Sequence, residues 1–216
     1  MLSVIIPAYN EAASIATTVS DLVRGLEKYD IKPYEVIVVS DGSIDATVEQ
    51  IQSLKLKHVR LYQYERNHGK GYALTYGVKH SKGETITFFD AGGDFDPHHI
   101  KQFLALMEIF DADIVVGSKR HPASVLNYPL RRQLFSNLYY YLIRVLFNLN
   151  VRDTQSGLKL FRREVLEKVM PRALVKRYAI DVELLVIARH LGFKRIFEAP
   201  VRLNYNFTQT GINYGS

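Results

Sequence analysis

The 216-residue sequence contains no cysteine. That excludes disulfides, a thiolate nucleophile and cysteine-ligated zinc, and it accords with a reducing compartment such as the cytosol. No uninterrupted apolar run approaches the roughly 18 residues of a membrane-spanning helix. The apolar start at 2–6 has neither the basic lead nor the cleavage site of a signal peptide. Two phosphate-binding loops are missing as well. There is no Gly-x-x-x-x-Gly-Lys-Ser, and no Gly-x-Gly-x-x-Gly follows the first predicted strand, so kinase-like and dinucleotide chemistry lose support. His58, His80 and His190 are isolated, His98 and His99 are expected to face solvent in a first helical turn, and no His/acid spacing points to zinc. The 14 tyrosines are scattered, without an RNA-binding aromatic motif or a sustained basic-aromatic run, so no nucleic-acid partner is expected.

What is present suits one packed domain. Hydrophobic residues make up 47% of the chain, which argues against disorder, and the length fits one sizeable α/β domain. The formal charge of +6 and a pI near 9.4 favour anionic partners, such as phosphorylated substrates or an anionic membrane. Apolar runs at 2–7, 35–40, 59–64, 85–90 and 114–117 read as buried strands. Segments 12–28, 44–54, 71–80 and 97–110 read as helices. Such alternation implies βαβ units, an α/β fold and a mostly parallel central sheet flanked by helices. Ligands of such sheets bind beyond the carboxyl ends of the strands.

The segments at those ends are polar: Pro7-Ala8-Tyr9-Asn10-Glu11, Ser40-Asp41-Gly42-Ser43-Ile44-Asp45, Arg66-Asn67-His68-Gly69-Lys70-Gly71 and Asp90-Ala91-Gly92-Gly93-Asp94-Phe95-Asp96-Pro97. Any one could be an ordinary turn, with Ser43 or Asp45 capping a helix. Four on one sheet edge point to a site. Carboxylates at 90, 94 and 96 suit Mg²⁺ or Mn²⁺, and such an ion would neutralise a diphosphate leaving group. Glu11 and Asp41 suit a base or ribose, Arg66 and Lys70 a phosphate.

These segments resemble the motifs of family-2 glycosyltransferases with the GT-A fold, the nucleotide-diphospho-sugar transferase fold. The resemblance is carried by Val4–Glu11, by Asp41-Gly42-Ser43 with Asp45, and by Asn67-His68-Gly69-Lys70-Gly71-Tyr72-Ala73. Two further segments, 152–161 and 178–185, are similar to the branch that moves glucose or mannose onto dolichyl or other polyprenyl phosphates. The resemblance covers about residues 3–207. It implies a nucleotide-sugar donor lined by Pro7, Tyr9, Glu11 and Asp41, and a lipid-phosphate acceptor. Lys70 falls in the glycine-lysine loop, Lys119 stands where the family usually has arginine, and Arg132 with Ser136 matches a phosphate-handling segment. It also implies Mg²⁺ or Mn²⁺ at Asp90 and an inverting displacement at the anomeric carbon. The family's Asp-x-Asp is broken by Gly92, and Asp94 stands where a further metal ligand is often found. Relatives often continue into a basic loop and transmembrane helices, whereas 204–216 is polar, without Lys or Arg.

Residues 1–207 are therefore expected to form one catalytic domain, with 208–216 as a polar tail. Within it, Gln133, Asn137, Tyr141, Arg144 and Asn148 make one polar stripe on an otherwise apolar helix over 132–149, either packed in the core or an oligomer, or lying on a membrane. Arg131, Arg132, Arg152, Arg162 and Arg163 beside it suit anionic head groups, which places the protein peripherally at the cytoplasmic face of a membrane. Asp181 is read either as the cap of a helix at 182–191 or, with Glu183, as a general base. Two other functions stay open: transfer to a sugar hydroxyl, and nucleotide-sugar binding without catalysis.

Overall fold

The computed structural model describes residues 1–93, 95–124, 140–147, 149, 151–177 and 179–202. Four parallel strands form its first half: β1 (Leu2–Ala8), β2 (Tyr34–Asp41), β3 (Val59–Tyr64) and β4 (Thr85–Phe88). They alternate with α1 (Ile15–Lys28), α2 (Thr47–Ser53), α3 (Lys70–His80) and α4 (His98–Ile109). β5 (Ile114–Ser118) follows, then a helix over 140–147 (α5), β6 (Lys159–Arg162), α6 (Arg163–Val169), α7 (Ile180–His190) and β7 (Ile196–Pro200). The seven strands lie in the order β3-β2-β1-β4-β6-β5-β7, and β6 runs antiparallel to both neighbours.

β1 and β2 are Val/Ile runs because helices cover both sheet faces, which removes any need for polar alternation. On one face Val4, Ile6, Val36 and Val38 pack with Ile15, Val19, Leu22 and Leu26 of α1, and with Ile100 and Phe103 of α4. On the other, Ile5, Ile86, Ile114 and Phe161 pack with Leu74 of α3, Leu166 of α6 and Leu184 of α7. The expected α/β fold with a mostly parallel sheet is thus the observed one.

Two helices start three residues later than their local patterns suggest, for the same tertiary reason. The loops after β1 and β2 are laced together: Asn10 N–H donates to Ser43 Oγ, Glu11 N–H to Thr47 Oγ1, Ala12 N–H to Asp45, and Ile44 N–H to Asn10 Oδ1. Backbone groups spent across the gap cannot enter a helical ladder. Asp45 also accepts the N–H of Thr47, the first residue of α2. The two loops become one rigid rim at the carboxyl end of the sheet.

Candidate functional site

β4 ends at Phe88, and Asp90 stands just beyond it, about one-third exposed. Its carboxylate is set by two neighbours. Oδ1 lies 3.1 Å from Lys70 Nζ, at the start of α3. The opposite side is bounded by Gly157, where a Cβ would fall 1.5 Å from Asp90 Oδ2. Only a residue without a side chain leaves room for Asp90 here. Lys70 reaches further, to Asp181 Oδ2 at 3.0 Å, and Asp181 Oδ1 meets Lys159 Nζ at 2.6 Å. Lys159 also donates to the carbonyl of Ser156. The result is an alternating chain of charge, Asp90–Lys70–Asp181–Lys159, running from the site edge to a fully buried ammonium.

Electrostatics favour the charged forms of the two central groups, whereas burial pulls the Lys159 ammonium below the ordinary lysine value despite Asp181. For Lys70, burial opposes the charge, but the Asp90 and Asp181 carboxylates outweigh it and hold the ammonium above the ordinary lysine value. For Asp181, burial pushes the carboxyl up, and Lys159 and Lys70 more than reverse that, leaving it below the usual carboxylate range. Asp181 has surroundings that its sequence position did not suggest. It lies one residue inside α7, whose N-cap is Ala179, so it does not cap the helix. As a base it is poorly placed, since both oxygens are ion-paired and its proton affinity is lowered. Glu183 is engaged too, accepting the N–H groups of Leu174 and Val175 at 2.9 Å each.

The glycine-lysine loop is held by Asp41. Its carboxylate accepts the N–H groups of His68 and Gly69 at 2.8 Å and the hydroxyl of Tyr64 at 2.7 Å. Gly71 N–H donates to the carbonyl of Lys176. Gly69 adopts φ +97°, and a Cβ there would meet that same carbonyl at 2.4 Å. The amides of Gly69 and Gly71 are thus already used, and a phosphate at this loop would also meet the Lys70 side chain. Arg177, exposed, lies over Gly69 and adds a second cation beside the loop.

Of the remaining expected residues, Pro7 is half-buried at the end of β1, Tyr9 is 47% exposed and Glu11 accepts from Ser14 Oγ at 2.8 Å. Lys119 is placed by its N–H donating to Asp153, a residue whose own N–H, like that of Arg152, goes to Glu198. Asp94, Arg131, Arg132 and Ser136 lie outside the described residues, as does Tyr178. Asp96 does not join Asp90; it accepts the N–H of His98 and shapes the start of α4. His99 was expected to face solvent and is instead buried, with Nδ1 on Gln102 and Nε2 accepting the N–H of Arg202. Arg202, just beyond β7, covers it, which no local pattern reveals. Gly157 and Lys159 fall in the segment 152–161 that carries the resemblance, but the sequence attached no role to either. The available signal was a lysine at 159 within the strand-like run Leu158–Phe161, where an unpaired charge is too costly to bury.

Among the described residues no group of three acids or histidines could hold a metal by itself. A Mg²⁺ or Mn²⁺ site does not require one, because such ions are commonly held by one or two carboxylates together with substrate phosphates and water. The Asp90 carboxylate, about one-third exposed at the sheet edge and given room by Gly157, fits that arrangement.

Known proteins share this architecture. The glucosyl-3-phosphoglycerate synthase of Mycobacterium tuberculosis, solved with Mn²⁺, UDP and phosphoglyceric acid, superposes with a TM-score of 0.72 at 22% identity, over 94% of this chain and 69% of that one. The mannosyl-3-phosphoglycerate synthase of Rubrobacter xylanophilus gives 0.73 at 17% identity, over 97% and 68%. The fold is GT-A. Closer in sequence are the dolichyl-phosphate beta-glucosyltransferases of Dictyostelium discoideum, 33% identical over 88% of this chain, and of Drosophila melanogaster, 34% over 88%. The chain spans 63% of the length of each of these two relatives. The family model described as glycosyl transferase family 2 matches residues 3–170, and the chain belongs to that family.

Proposed function

We propose that the protein is an inverting glucosyltransferase that moves glucose from a nucleoside-diphosphate sugar, UDP-glucose before a GDP-linked donor, onto a dolichyl or other polyprenyl phosphate. The observation that carries the choice of acceptor is the occupation of both acids that sequence offered as general bases. Asp181 is locked between two lysines, and Glu183 is spent on two backbone amides. A sugar hydroxyl needs a positioned base to become a nucleophile at neutral pH. A phosphate monoester does not: by analogy with phosphorylated side chains its second pKa is near 6, so it is mostly a dianion at pH 7. The names of the curated relatives point the same way.

In this reading a phosphate oxygen attacks the anomeric carbon as the bond to the diphosphate breaks, and the electron pair leaves with the nucleoside diphosphate. Pro7, Tyr9, Glu11 and the Asp41-braced rim line the nucleotide. Asp90 would hold a divalent cation, and Asp94 is the further acid that the sequence offers for it. When bound, that cation supplies charge neutralisation of the leaving diphosphate. Lys70 stabilises the same developing charge. Lys119 and Arg132 orient the incoming lipid phosphate, a task that suits cations because two anions must meet.

Asp90→Asn is expected to lower turnover at least tenfold, about 1.4 kcal/mol of barrier, and EDTA is expected to stop the reaction. Release of nucleoside diphosphate from UDP-glucose, with polyprenyl phosphate and Mn²⁺ present, measures both. Transfer to a free sugar or uncharged glycolipid, with polyprenyl phosphate ignored, would replace the acceptor reading. Donor binding with no turnover of any donor would replace catalysis itself.

The membrane half of the proposal rests on α5. Ile143 is buried, but Leu142, Val145 and Leu146 are 53%, 82% and 62% exposed, beside exposed Arg144. Among the described residues, packing in the core therefore does not account for Leu142 or Leu146. Among the described residues no helix is long and apolar enough to cross a membrane. We expect the protein to sediment with anionic liposomes, less so as salt screens its basic groups. Replacing Leu142 and Leu146 by Gln is expected to weaken that binding with the melting temperature unchanged. Binding retained by the double variant would remove α5 as the anchor, and a salt-independent self-association would favour a homo-oligomer.

A further inference from the structure

We infer that Lys70 is a built-in counter-cation for Asp90 that makes the divalent-metal site conditional on the donor. This rests on the reading of Asp90 as the metal-holding acid, and it assigns new positioning roles to Asp181 and Lys159.

Lys70 Nζ bridges two carboxylates, 3.1 Å from Asp90 Oδ1 and 3.0 Å from Asp181 Oδ2. The two ends of this bridge are unequal. Asp181 is 5% exposed in its side chain, and its other oxygen is fixed by Lys159, a residue with no solvent exposure. Asp90 is 36% exposed and faces the open edge of the sheet. The Asp181 contact is therefore the hinge, and the Asp90 contact is the one that opens. Without donor, the oxygen a divalent ion needs is already neutralised, and an ion approaching Asp90 meets a like charge held only one hydrogen bond away. A diphosphate changes this balance. It brings oxygens for the metal and an alternative anion for Lys70, so the ammonium transfers from Asp90 to phosphate while still held by Asp181. Metal and nucleotide then bind as a unit, and their affinities are coupled.

Lys159 explains why the hinge holds. A lone Asp181 between Lys70 and an apolar wall would follow Lys70 in either direction, whereas an Asp181 fixed from behind sets the arc that Lys70 sweeps. Asp181 and Lys159 are buried behind Lys70 and act through it. They are positioning residues.

The test is Mn²⁺ binding, read from loss of the free-ion electron paramagnetic resonance signal, with and without UDP, and with GDP in a parallel series. For the native protein we expect Mn²⁺ alone to bind at least tenfold more weakly than Mn²⁺ with the nucleotide. Lys70→Met is expected to bind Mn²⁺ alone at least tenfold tighter than the native protein and to lose most of the nucleotide's effect. Lys70→Arg, which keeps the cation, is expected to restore weak binding of the ion alone. Lys70→Gln repeats the measurement with a polar side chain that cannot carry charge, and circular dichroism confirms the fold of each variant. Unchanged or weaker binding of Mn²⁺ alone in both Lys70→Met and Lys70→Gln overturns the inference while leaving the metal-dependent reaction standing. No Mn²⁺ uptake by the native protein, even with nucleotide, overturns both.

Discussion

Gly157→Ala is expected to remove at least 99% of turnover while leaving the fold intact. The methyl group would lie 1.5 Å from Asp90 Oδ2 and 2.1 Å from its Cγ, so the two groups cannot coexist in their present positions. The three atoms nearest to that methyl all belong to the Asp90 side chain, which is about one-third exposed at the sheet edge and can turn toward solvent. The clash is thus relieved cheaply for the fold and at the cost of the site. Displacing a reacting or metal-holding group by about 1 Å costs on the order of a hundredfold in rate. The expected signature is kcat/KM for the donor falling by that factor or more, with the thermal midpoint within a few degrees of the native protein. Near-native turnover by Gly157→Ala would show that Asp90 is not needed where the structure holds it, and the metal reading would fall with it.

The asymmetry between fold and site in what the sequence disclosed has a physical cause. Strands and helices of the first half were legible because β1, β2 and α1 carry their periodicity locally, and a doubly covered sheet requires apolar runs. The site edge was legible too, since every polar segment there directly follows a strand. Partners were not. Lys70 and Asp181 are 111 positions apart, and Lys159 enters the pair from the antiparallel strand β6, whose place in the middle of the sheet no local pattern encodes. The same holds for His99, covered by Arg202 from 103 positions away. Asp181 offers the clearest case. An acid at the first turn of a helix is favourable for the helix dipole in any protein, so its position argued for a cap, and only the arrival of two lysines from elsewhere in the chain reveals another role. Asp41 differs again. The sequence pointed to Asp41 as a nucleotide contact, and its carboxylate braces His68 and Gly69, so any contact with a nucleotide would be made by a group already engaged.

Asp181→Asn is expected to be the most destabilising single substitution among the polar residues of the site. Lys159 is fully buried, and in the native protein its charge is balanced by Asp181. Removing one partner of a buried ion pair leaves the other charged and desolvated, at a typical cost of about 3–5 kcal/mol. That is a large share of the stability of an ordinary domain. The Ser156 carbonyl, which also accepts from Lys159, does not replace a full charge. Lys159→Met should be milder in the Asp181→Asn background than alone, because the pair is then removed together and a linear side chain fills the same volume. Urea denaturation of the two single variants and the double variant completes the cycle. A coupling of less than about 0.5 kcal/mol would mean the pair is not a unit. The pH dependence provides an independent check. Asp181 has its carboxyl held below the ordinary 3.8, so its contribution is complete above that value and is lost as pH falls through the lower folded value. Lys70 is held above the ordinary 10.5, so its contribution is complete below that value and is lost only as pH rises beyond it. Asp181 and Lys70 should therefore contribute no loss between about pH 5 and 9, and Asp181 should contribute a steep acid limb below about pH 4. In the Asp181→Asn, Lys159→Met double variant that acid limb should be shallower, and an unchanged limb would assign acid sensitivity to other carboxylates.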